Sequence, residues 1–541
     1  MKKTEKTFLC AFCLLVCAFC LPYSAFAQCL KPNNNSELAA NNIKALFKTN
    51  GAHFFIEKAE FEVPKGSGIS SLFAAGLWLG GKDEQDNLHL AAMRFGQLGN
   101  DYWGGPVSNG GAEAASYYDR FWSITKEEIE YHKANYNNPV YITPDIITNW
   151  PASGRPEYGE SAKLAPYKSV SGNSTYTPSQ GDYPLIRGDQ ALFWINNDNC
   201  GAHTETNGKP LGVEVMSMAY AYNKPEYELQ HTIFISYEIR NKSENNYKDF
   251  YVGFFADFDI GDGSDDYIGC DSSLNLAYGY NGKEIDGNGG AWTYGNKPPA
   301  QGAMFLNQKM SAFTYFNNAG GPTGDPRTSI EYYNYLQGKW ADGTPLTLWG
   351  NGYKESTEYT NFAFNGDPVA QTGWTEVTPN GSGSTPNTPG DRRGAISTGP
   401  FTLPAGGTIC IDIALPFAQD LEGNNITSVA MLKQKVQAIQ QFYDNQQYEM
   451  ACGGNIGIKE KEINKAAIQV FPNPTKGQFT VKSESIIENI ELYDMRGQKV
   501  YTNTPKKQSF QIDIDLSRGL YLYRAVLQDG SISSGKIVVQ L

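Results

Sequence analysis

Histidine is scarce in this chain, and the sequence patterns of the common hydrolases are missing. No HExxH motif or other zinc-binding spacing occurs, and there is neither a GxSxG nucleophile elbow nor a glycine-rich phosphate loop. The sequence therefore gives no support to a zinc hydrolase, a GxSxG-type hydrolase or a nucleotide-binding enzyme. The 541 residues include five widely separated histidines: His53, His89, His132, His203 and His231.

Positive charge and long apolar runs are also in short supply. The chain has 44 lysines and arginines against 57 aspartates and glutamates, a formal net charge of −13. Phosphate binding needs a clustered basic face, so nucleic acid is excluded as the expected partner. After the first 21 residues no segment is apolar enough to span a bilayer, and we expect no transmembrane segment.

The N-terminal residues have the organisation of a secretory signal peptide. Three lysines precede an apolar run over residues 8–21, which is shorter than the roughly 20 residues of a spanning helix. A small-x-small cleavage sequence ends at Ala27. We therefore assign residues 1–27 to the signal peptide. Gln28 argues against a lipoprotein, because lipid attachment at Cys29 needs a small residue before it.

Cysteine is rare once the signal peptide is set aside. Export makes disulfides possible, and an odd number leaves at least one thiol unpaired. The spacing does not reveal the pairing. Cys410 lies inside an apolar strand pattern and is the candidate for a buried free thiol, whereas the glycine-flanked Cys200 and Cys452 suit a disulfide better. The five remaining cysteines are Cys29, Cys200, Cys270, Cys410 and Cys452.

Glycine and tyrosine, by contrast, are abundant, with 56 and 33 residues, while only 19% of residues are charged. This composition suits strands and turns, so we predict a mainly β protein. The expected body, residues 28–452, is a large immunoglobulin-like or jelly-roll-type β-sandwich, or two sandwiches, with a loop-rich insertion at 104–182. Strands are predicted at residues 50–63, 71–78, 88–95, 274–280, 302–305, 312–316 and 408–417.

Three further segments of the body have clear patterns. Residues 228–241 and 250–258 flank a short polar turn and predict the central hairpin of an immunoglobulin-like sandwich. Residues 125–133 predict a helix capped by Thr125. An apolar stripe at helical spacing over residues 426–446 predicts an amphipathic helix packed on the sandwich.

One acidic run has the composition of a cation site. Residues 255–271, FADFDIGDGSDDYIGCD, contain six aspartates within 15 residues, separated by glycines. Calcium prefers several oxygen ligands from a loop that can fold around it, and close like charges are costly unless they are solvated or neutralised. The spacing is not that of an EF-hand, because Ile268 occupies the position of the bidentate glutamate. We predict a structural calcium site with candidate ligands Asp257, Asp259, Asp262, Asp265, Asp266 and Asp271.

Two features of the sequence, the acidic run and the loop tryptophans, each allow an alternative interpretation. The acidic run can equally be a solvated turn in which aspartates bond the local backbone, and residues 286–290 are predicted to be a plain turn. The tryptophans of the loops either stack on sugars or fill the core. Those tryptophans are Trp103, Trp122, Trp150, Trp340, Trp349 and Trp374.

The last 75 or so residues have the most specific pattern, short alternating strands separated by turn residues, which predicts a small β-sandwich. This segment, residues 467–541, resembles the type A C-terminal sorting domain of the Bacteroidetes type IX secretion system. Residues 453–466 then form a linker. The matching residues are Pro472, Asn473, Pro474, Gly477, Tyr493, Asp494, Gly497, Gly519, Tyr521 and Lys536.

The resemblance implies passage through the periplasm to the outer-membrane surface or the extracellular space. The implied partners are the type IX translocon and the surface sorting machinery, with surface lipopolysaccharide or an extracellular glycan as further candidates. Three runs of the body, AAGLWLGG, DDYIGCDSSLNLAYGYNG and DRRGAISTGPFTLPAGG, are similar to an uncharacterised body shared by many such proteins, which implies no activity.

Two classes of function follow for the body. The first is a non-enzymatic adhesion, matrix or glycan-binding module at the cell surface. The second is a secreted hydrolase of polysaccharide or protein with acidic catalytic residues. Two facing carboxylates about 5–10 Å apart in a tryptophan-lined cleft would favour the hydrolase, whereas carboxylates closed around one point would favour the surface module.

Overall fold

The computed structural model describes residues 29–97, 99–288, 290, 292–446, 468–494, 498–528 and 532–540. The predicted signal peptide and linker lie outside these residues. The chain divides into two compact units, residues 1–454 and 455–541, which are described separately. The boundaries predicted at residues 27, 452 and 466 stay predictions.

The first unit is the body, and it is mainly β, as predicted. Its described helices are α1 Gly111–Tyr118, α2 Lys126–Asn135, α3 Asp145–Thr148, α4 Tyr227–Gln230, α5 Ser329–Leu336 and α6 Asn425–Asp444. Its described strands are β1 Asn35–Leu38, β2 Lys44–Lys48, β3 Phe61–Glu62, β4 Ala74–Lys82, β5 Leu88–Ala92, β6 Trp103–Gly104, β7 Trp122–Thr125, β8 Tyr167–Lys168, β9 Tyr183–Pro184, β10 Gln190–Asn197, β11 Val213–Ala221, β12 Thr232–Asn241, β13 Tyr247–Asp257, β14 Asp266–Asp271, β15 Leu276–Asn281, β16 Ala300–Phe305, β17 Ala312–Asn317, β18 Arg392–Leu403 and β19 Thr408–Ala418.

Two large antiparallel sheets dominate the body. The first has nine strands, in the order β14-β15-β16-β19-β12-β11-β10-β6, with β7 also paired to β10. The second has five strands, in the order β17-β18-β13-β4-β5. The small sheets β1-β2-β3 and β8-β9 complete the described pairing.

The nine-stranded sheet is buried on both faces. Along β11, Val213 and Val215 enter the core shared with the five-stranded sheet, while Met216 and Met218 enter a second core with helices α2, α3 and α6. Successive strand residues point to opposite faces, so a strand covered on both sides is apolar throughout. The body is therefore a β-sandwich with an additional helical layer.

Both predicted helices are confirmed. Thr125 caps α2, and its side chain forms a reciprocal capping box with Glu128, which satisfies two backbone groups at the helix start. In α6, Val429, Leu432 and Val436 are buried in the core beneath the nine-stranded sheet. The apolar stripe therefore packs on the sandwich, as predicted.

The predicted hairpin is wrong. Strands β12 and β13 follow each other directly, but β12 pairs with β11 and β19, whereas β13 pairs with β4 and β18. The chain thus crosses from one sheet to the other at the polar turn. Each strand is buried within its own sheet, so the packing of the two sheets, rather than the short turn, decides the pairing.

The strand predicted at residues 50–63 is reduced to β3. Phe54 adopts a left-handed backbone conformation, with φ of 67°, and its N–H donates to the carbonyl of Leu46. The chain therefore turns back on itself before β3 begins. The other predicted strands correspond to β4, β5, β15, β16, β17 and β19.

The prediction that Cys410 is the free thiol is wrong, whereas the expected disulfide at Cys200 is confirmed; Cys452 lies outside the described residues. Cys410 takes part in a disulfide bond, and among the described residues the free thiol is the buried Cys270, which donates to the carbonyl of Ala363 at 3.1 Å. Cys29 pairs with Cys200. Cys410 and Cys270 both lie in strands, so burial in a strand did not distinguish the free thiol from the bonded one.

His53 predicts a pH dependence of body stability. Burial, followed by the charge of Lys48, lowers the pKa of His53 from 6.5 to about 3, and its ring packs against Phe47 and Trp194. The His53 imidazole of the unfolded chain binds a proton below about pH 6.5, whereas that of the folded chain binds one only near pH 3. Between these values, the free energy of unfolding should therefore fall by about 1.4 kcal/mol for each unit by which the pH is lowered.

We expect His53→Phe to remove this slope while it keeps the aromatic packing. The measurement is urea unfolding of both proteins at pH 5, 6, 7 and 8, followed by tryptophan fluorescence. Equal slopes in the two proteins below pH 6.5 would contradict the prediction.

The second unit consists of strands around one small core. Its described strands form a six-stranded sheet in which the long β21 pairs with β20 and β23 near its start and with β22 and β24 near its end. Both halves of β21 contribute to the same core, so the sheet folds over it. The strands are β20 Gln469–Phe471, β21 Gln478–Tyr493, β22 Lys499–Asn503, β23 Lys507–Asp513, β24 Gly519–Leu527 and β25 Ile532–Val539.

Candidate functional site

Strand pairing brings three carboxylates together at one end of the five-stranded sheet. Asp257 is the last residue of β13, and it lies opposite Arg393 of β18. Asp259 follows two residues after β13, and Asp391 directly precedes β18. Oxygens of Asp257, Asp259 and Asp391 lie within 4.8 Å of one another.

This site is largely buried and strongly acidic. Asp257 is only 1% exposed, and burial, with the charge of Asp259, raises its pKa well above the usual range against the opposing effect of Arg393. Burial, followed by the charge of Asp391, raises the pKa of Asp259 to about 7. The Oδ1 atoms of Asp257 and Asp259 are shielded from solvent and have no hydrogen-bond partner. Carboxylates in such surroundings are costly unless a cation neutralises them.

Arg393 supplies part of the neutralising charge. Its guanidinium contacts Asp391 Oδ1 at 2.6 Å, Asp325 Oδ1 at 3.3 Å and Asp257 Oδ1 at 3.4 Å. Arg94 extends the network, because it contacts Asp325 at 3.2 Å and Glu205 at 3.0 Å. Two arginines thus face five carboxyl groups, so full ionisation of the network would leave three negative charges uncompensated.

The other predicted ligands are engaged elsewhere. Asp262 Oδ1 accepts from the backbone N–H of Ser264. Asp265 contacts Lys283 at 3.2 Å, and Asp266 Oδ2 accepts from the N–H of Ile260 at 2.8 Å. The Asp262 bond is an Asx turn, whereas Asp265 forms an ion pair with a more distant residue. The Oδ1 atoms of Asp265 and Asp266 are, like those of Asp257 and Asp259, buried without a hydrogen-bond partner.

Asp271 lies at the opposite end of β14 from Asp266. It contacts Lys433 of α6 at 3.2 Å, and its Oδ1 accepts from Ser273 Oγ at 2.6 Å. Burial opposes ionisation there, but the bonds from Ser273 and the charge of Lys433 lower its pKa. Asp271 therefore stabilises the position of α6 on the sheet.

Two carboxylates were missed by reasoning from sequence. Asp286 belongs to the turn at 286–290, yet it is buried and accepts from the N–H groups of Asp262 and Tyr294; burial raises its pKa to about 6. Asp391 is far from the acidic run along the chain. The feature of the sequence that could have drawn attention to Asp391 is its position directly before two arginines at the start of a strand.

Gly263 shows why glycines accompany the aspartates. A Cβ atom at this position would lie 2.3 Å from Asp259 Oδ1, a distance that no side chain tolerates. The loop must therefore pass directly against Asp259, and the glycine permits that close approach.

The six loop tryptophans named in the sequence analysis pack in or against the core. Trp103, Trp122, Trp150, Trp340 and Trp374 are buried, and Trp349 packs half-buried against the main core. The indole N–H groups of Trp122, Trp150, Trp340 and Trp374 donate to backbone carbonyls, as buried indoles require. Their faces do not form a platform for sugars.

A surface groove of about 680 Å³ lies at the start of α2. The described residues that line it include Glu127, Glu130 and Asp189 together with Lys126 and Asn223, but no tryptophan. It therefore lacks the tryptophan-lined cleft that would favour a hydrolase.

In the C-terminal unit, most of the predicted motif residues maintain the fold. The Asn473 side chain donates to the carbonyl of Lys536 and accepts from the N–H of Val538, so the segment with Pro472 and Pro474 covers the edge strand β25. Exposed strand edges invite unwanted pairing. Gly477 has φ of 104°, and a Cβ there would lie 2.6 Å from the Ile514 carbonyl.

The remaining motif residues also make local bonds. Tyr493 donates to Glu491 Oε2 at 2.7 Å, Asp494 accepts from the N–H of Gln498 at 2.9 Å, and Tyr521 donates to the carbonyl of Ser517 at 2.9 Å. Gly519 begins β24, and the Lys536 side chain is exposed. Gly497 lies outside the described residues.

Comparison with known proteins gives one informative match. Residues 469–540 match the family described as secretion system C-terminal sorting domain. No curated protein matches the chain. Within the described parts of the chain, no helix is long and apolar enough to cross a membrane.

Three solved structures show only distant likeness. A polysaccharide lyase is 10% identical, with 70% of this chain and 39% of that chain covered and a TM-score of 0.19. PorZ of Porphyromonas gingivalis, titled an essential bacterial surface component of the type IX secretion system, is 10% identical, with 94% and 51% covered and a TM-score of 0.13. Latent dimeric PorU of the same organism is 12% identical, with 65% and 32% covered and a TM-score of 0.12.

This chain thus spans between 32% and 51% of the length of those structures. At such TM-scores the three likenesses carry no argument about the body.

Proposed function

Residues 469–540 are a type IX secretion sorting domain, and from this premise we propose that the body works outside the cell as a non-enzymatic adhesion or matrix module. The sorting domain is the observation that carries the proposal, because it directs the chain to the cell surface or the extracellular space. The expected partners during export are the type IX translocon and the surface sorting machinery. Attachment to surface lipopolysaccharide is part of the proposal.

The geometry of the body supports a binding module over a hydrolase. The carboxylates of Asp257, Asp259 and Asp391 converge within 4.8 Å, which is closer than the spacing that lets two carboxylates flank a glycosidic bond. The groove at the start of α2 has carboxylates but no tryptophan. Six loop tryptophans pack in or against a core, and among the described tryptophans Trp292 alone is largely exposed, at 65%. Because one exposed indole does not make a stacking platform, we favour adhesion to other macromolecules over stacking on glycans.

The experiment places an epitope tag in the exposed loop at residues 172–175 and labels intact cells. We expect the tag to be labelled at the surface and to be removed by external proteinase K. A deletion strain should attach less well to surfaces and neighbouring cells, and the tagged chain should restore attachment.

The matched variants Glu127→Gln, Asp189→Asn and Asp257→Asn separate the two classes of function. An adhesion module should restore attachment with each variant and release no soluble sugar or peptide from extracellular polymers. Polymer degradation that one of these variants abolishes would overturn the proposal in favour of a secreted hydrolase.

A further inference from the structure

The triad of Asp257, Asp259 and Asp391 has acceptor atoms that the protein itself does not satisfy. The Oδ1 atoms of Asp257 and Asp259 are buried without a hydrogen-bond partner. Buried polar atoms are almost always hydrogen-bonded, and an unpaired buried carboxylate oxygen is among the most costly exceptions. Two such atoms beside a third carboxylate indicate a missing positive ligand.

Arg393 does not fill that role. It contacts Asp257 at 3.4 Å through Nε, but this contact lacks hydrogen-bond geometry, and Nε has no hydrogen-bond partner. Its terminal nitrogens bond Asp391 and Asp325. The guanidinium thus neutralises the outer part of the cluster and leaves the inner oxygens of Asp257 and Asp259 unpaired.

The oxygen spacing fits one calcium ion. Calcium binds oxygens at roughly 2.3–2.6 Å, so two ligands on opposite sides of one ion are at most about 5 Å apart; the three carboxylates meet that limit, because one oxygen of each lies within 4.8 Å of the others. Magnesium demands a near-ideal octahedron and usually keeps several waters, which suits a largely buried site less well. A divalent ion would also offset two of the three negative charges that full ionisation of the network would leave uncompensated.

We propose that Asp257, Asp259 and Asp391 bind a calcium ion, with Arg393 as the adjoining counter-charge. The three ligands come from the end of β13, the loop after it and the residue before β18. Asn318, directly after β17, donates to Asp391 Oδ2 at 2.8 Å. The ion would therefore join Asp391, at the end of the long segment between β17 and β18, to β13, while the bond from Asn318 holds the start of that segment to Asp391.

The test is calcium titration of the purified full-length chain by calorimetry, together with thermal unfolding in calcium, magnesium or EDTA. We expect one calcium ion per chain and a melting temperature several degrees higher in millimolar calcium than in EDTA, because a ligand that binds only the folded state stabilises it. Magnesium should have a much smaller effect. A chain that binds no calcium and melts identically in calcium and EDTA would overturn the proposal.

Matched substitutions locate the site. Asp259→Asn and Asp391→Asn should each weaken calcium binding at least tenfold and abolish the melting shift. Both should melt in EDTA no lower than the unmodified chain, because they relieve repulsion between buried like charges. Asp262→Asn is the control, since asparagine also caps the turn, and it should bind calcium normally. Loss of binding in Asp262→Asn with retention in Asp391→Asn would contradict the assignment.

Discussion

Removal of residues 468–541 should leave the body folded in the periplasm and absent from the cell surface. The sorting domain is a separate compact unit with its own core, and the body has its own sheets and cores, so we expect the body to fold without it. We expect surface labelling to fall at least tenfold. The measurement is cell fractionation and labelling of intact cells with an antibody against the body.

A matched pair of glycine substitutions tests whether the fold of the sorting domain is what matters. Gly477→Ala places a side chain at φ of 104° and against the carbonyl of Ile514, whereas a Cβ at Gly519 meets no atom closer than 3.8 Å. We expect Gly477→Ala to cost the domain at least about 1 kcal/mol and to reduce export. Gly519→Ala should be exported normally.

Normal surface display of the truncated chain would show that the segment is not the export signal. If both glycine variants were exported equally, the positive φ at Gly477 would not limit the function of the domain.

Breaking the ion pair between Arg187 and Asp412 should destabilise the body far more than breaking an ion pair on its surface. Both side chains are fully buried, and Arg187 Nη1 lies 2.8 Å from Asp412 Oδ1, while Tyr443 of α6 donates to the other oxygen of Asp412. Asp412→Asn leaves the arginine charge uncompensated in the interior, which costs about 3–5 kcal/mol. Urea unfolding followed by fluorescence measures this loss for the body alone, because all nine tryptophans precede residue 454.

Two controls accompany this measurement. The double variant Arg187→Met, Asp412→Leu should recover most of the lost stability, since well-packed apolar side chains often replace a buried pair without penalty. Glu130→Gln breaks the exposed pair with Lys133 and should change the free energy of unfolding by no more than about 0.5 kcal/mol. A loss under 1 kcal/mol in Asp412→Asn would mean that water reaches Arg187.

Features governed by neighbours in the chain could be predicted from the sequence. Thr125 and Glu128 are three residues apart and form the capping box of α2. The helical spacing of Val429, Leu432 and Val436 predicted α6. The strands of the C-terminal unit could be predicted because turn residues separate them at short intervals, and its role as a sorting domain was implied by its resemblance to a known family. For the two helices the deciding interactions span only a few residues.

Features decided by distant pairing could not be predicted in this way. Asp391 joins Asp257 because β18 pairs with β13, and no local pattern encodes that pairing. The polar turn after β12 suggested a hairpin, but burial of β12 and β13 in two different sheets prevailed. The free and bonded cysteines could not be distinguished because Cys270 and Cys410 both lie in strands.

The crossing between β12 and β13 determines how the body can be divided. The five-stranded sheet takes strands from residues 74–92, 247–257 and 312–403, and the nine-stranded sheet takes its strands from the segments between these ranges and from residues 408–418 after them. A cut in the exposed loop at residues 172–175 gives two fragments, each with an incomplete share of both sheets. Neither should fold alone, but mixed together they should complement each other, so the body is a natural scaffold for a split-protein reporter at the cell surface.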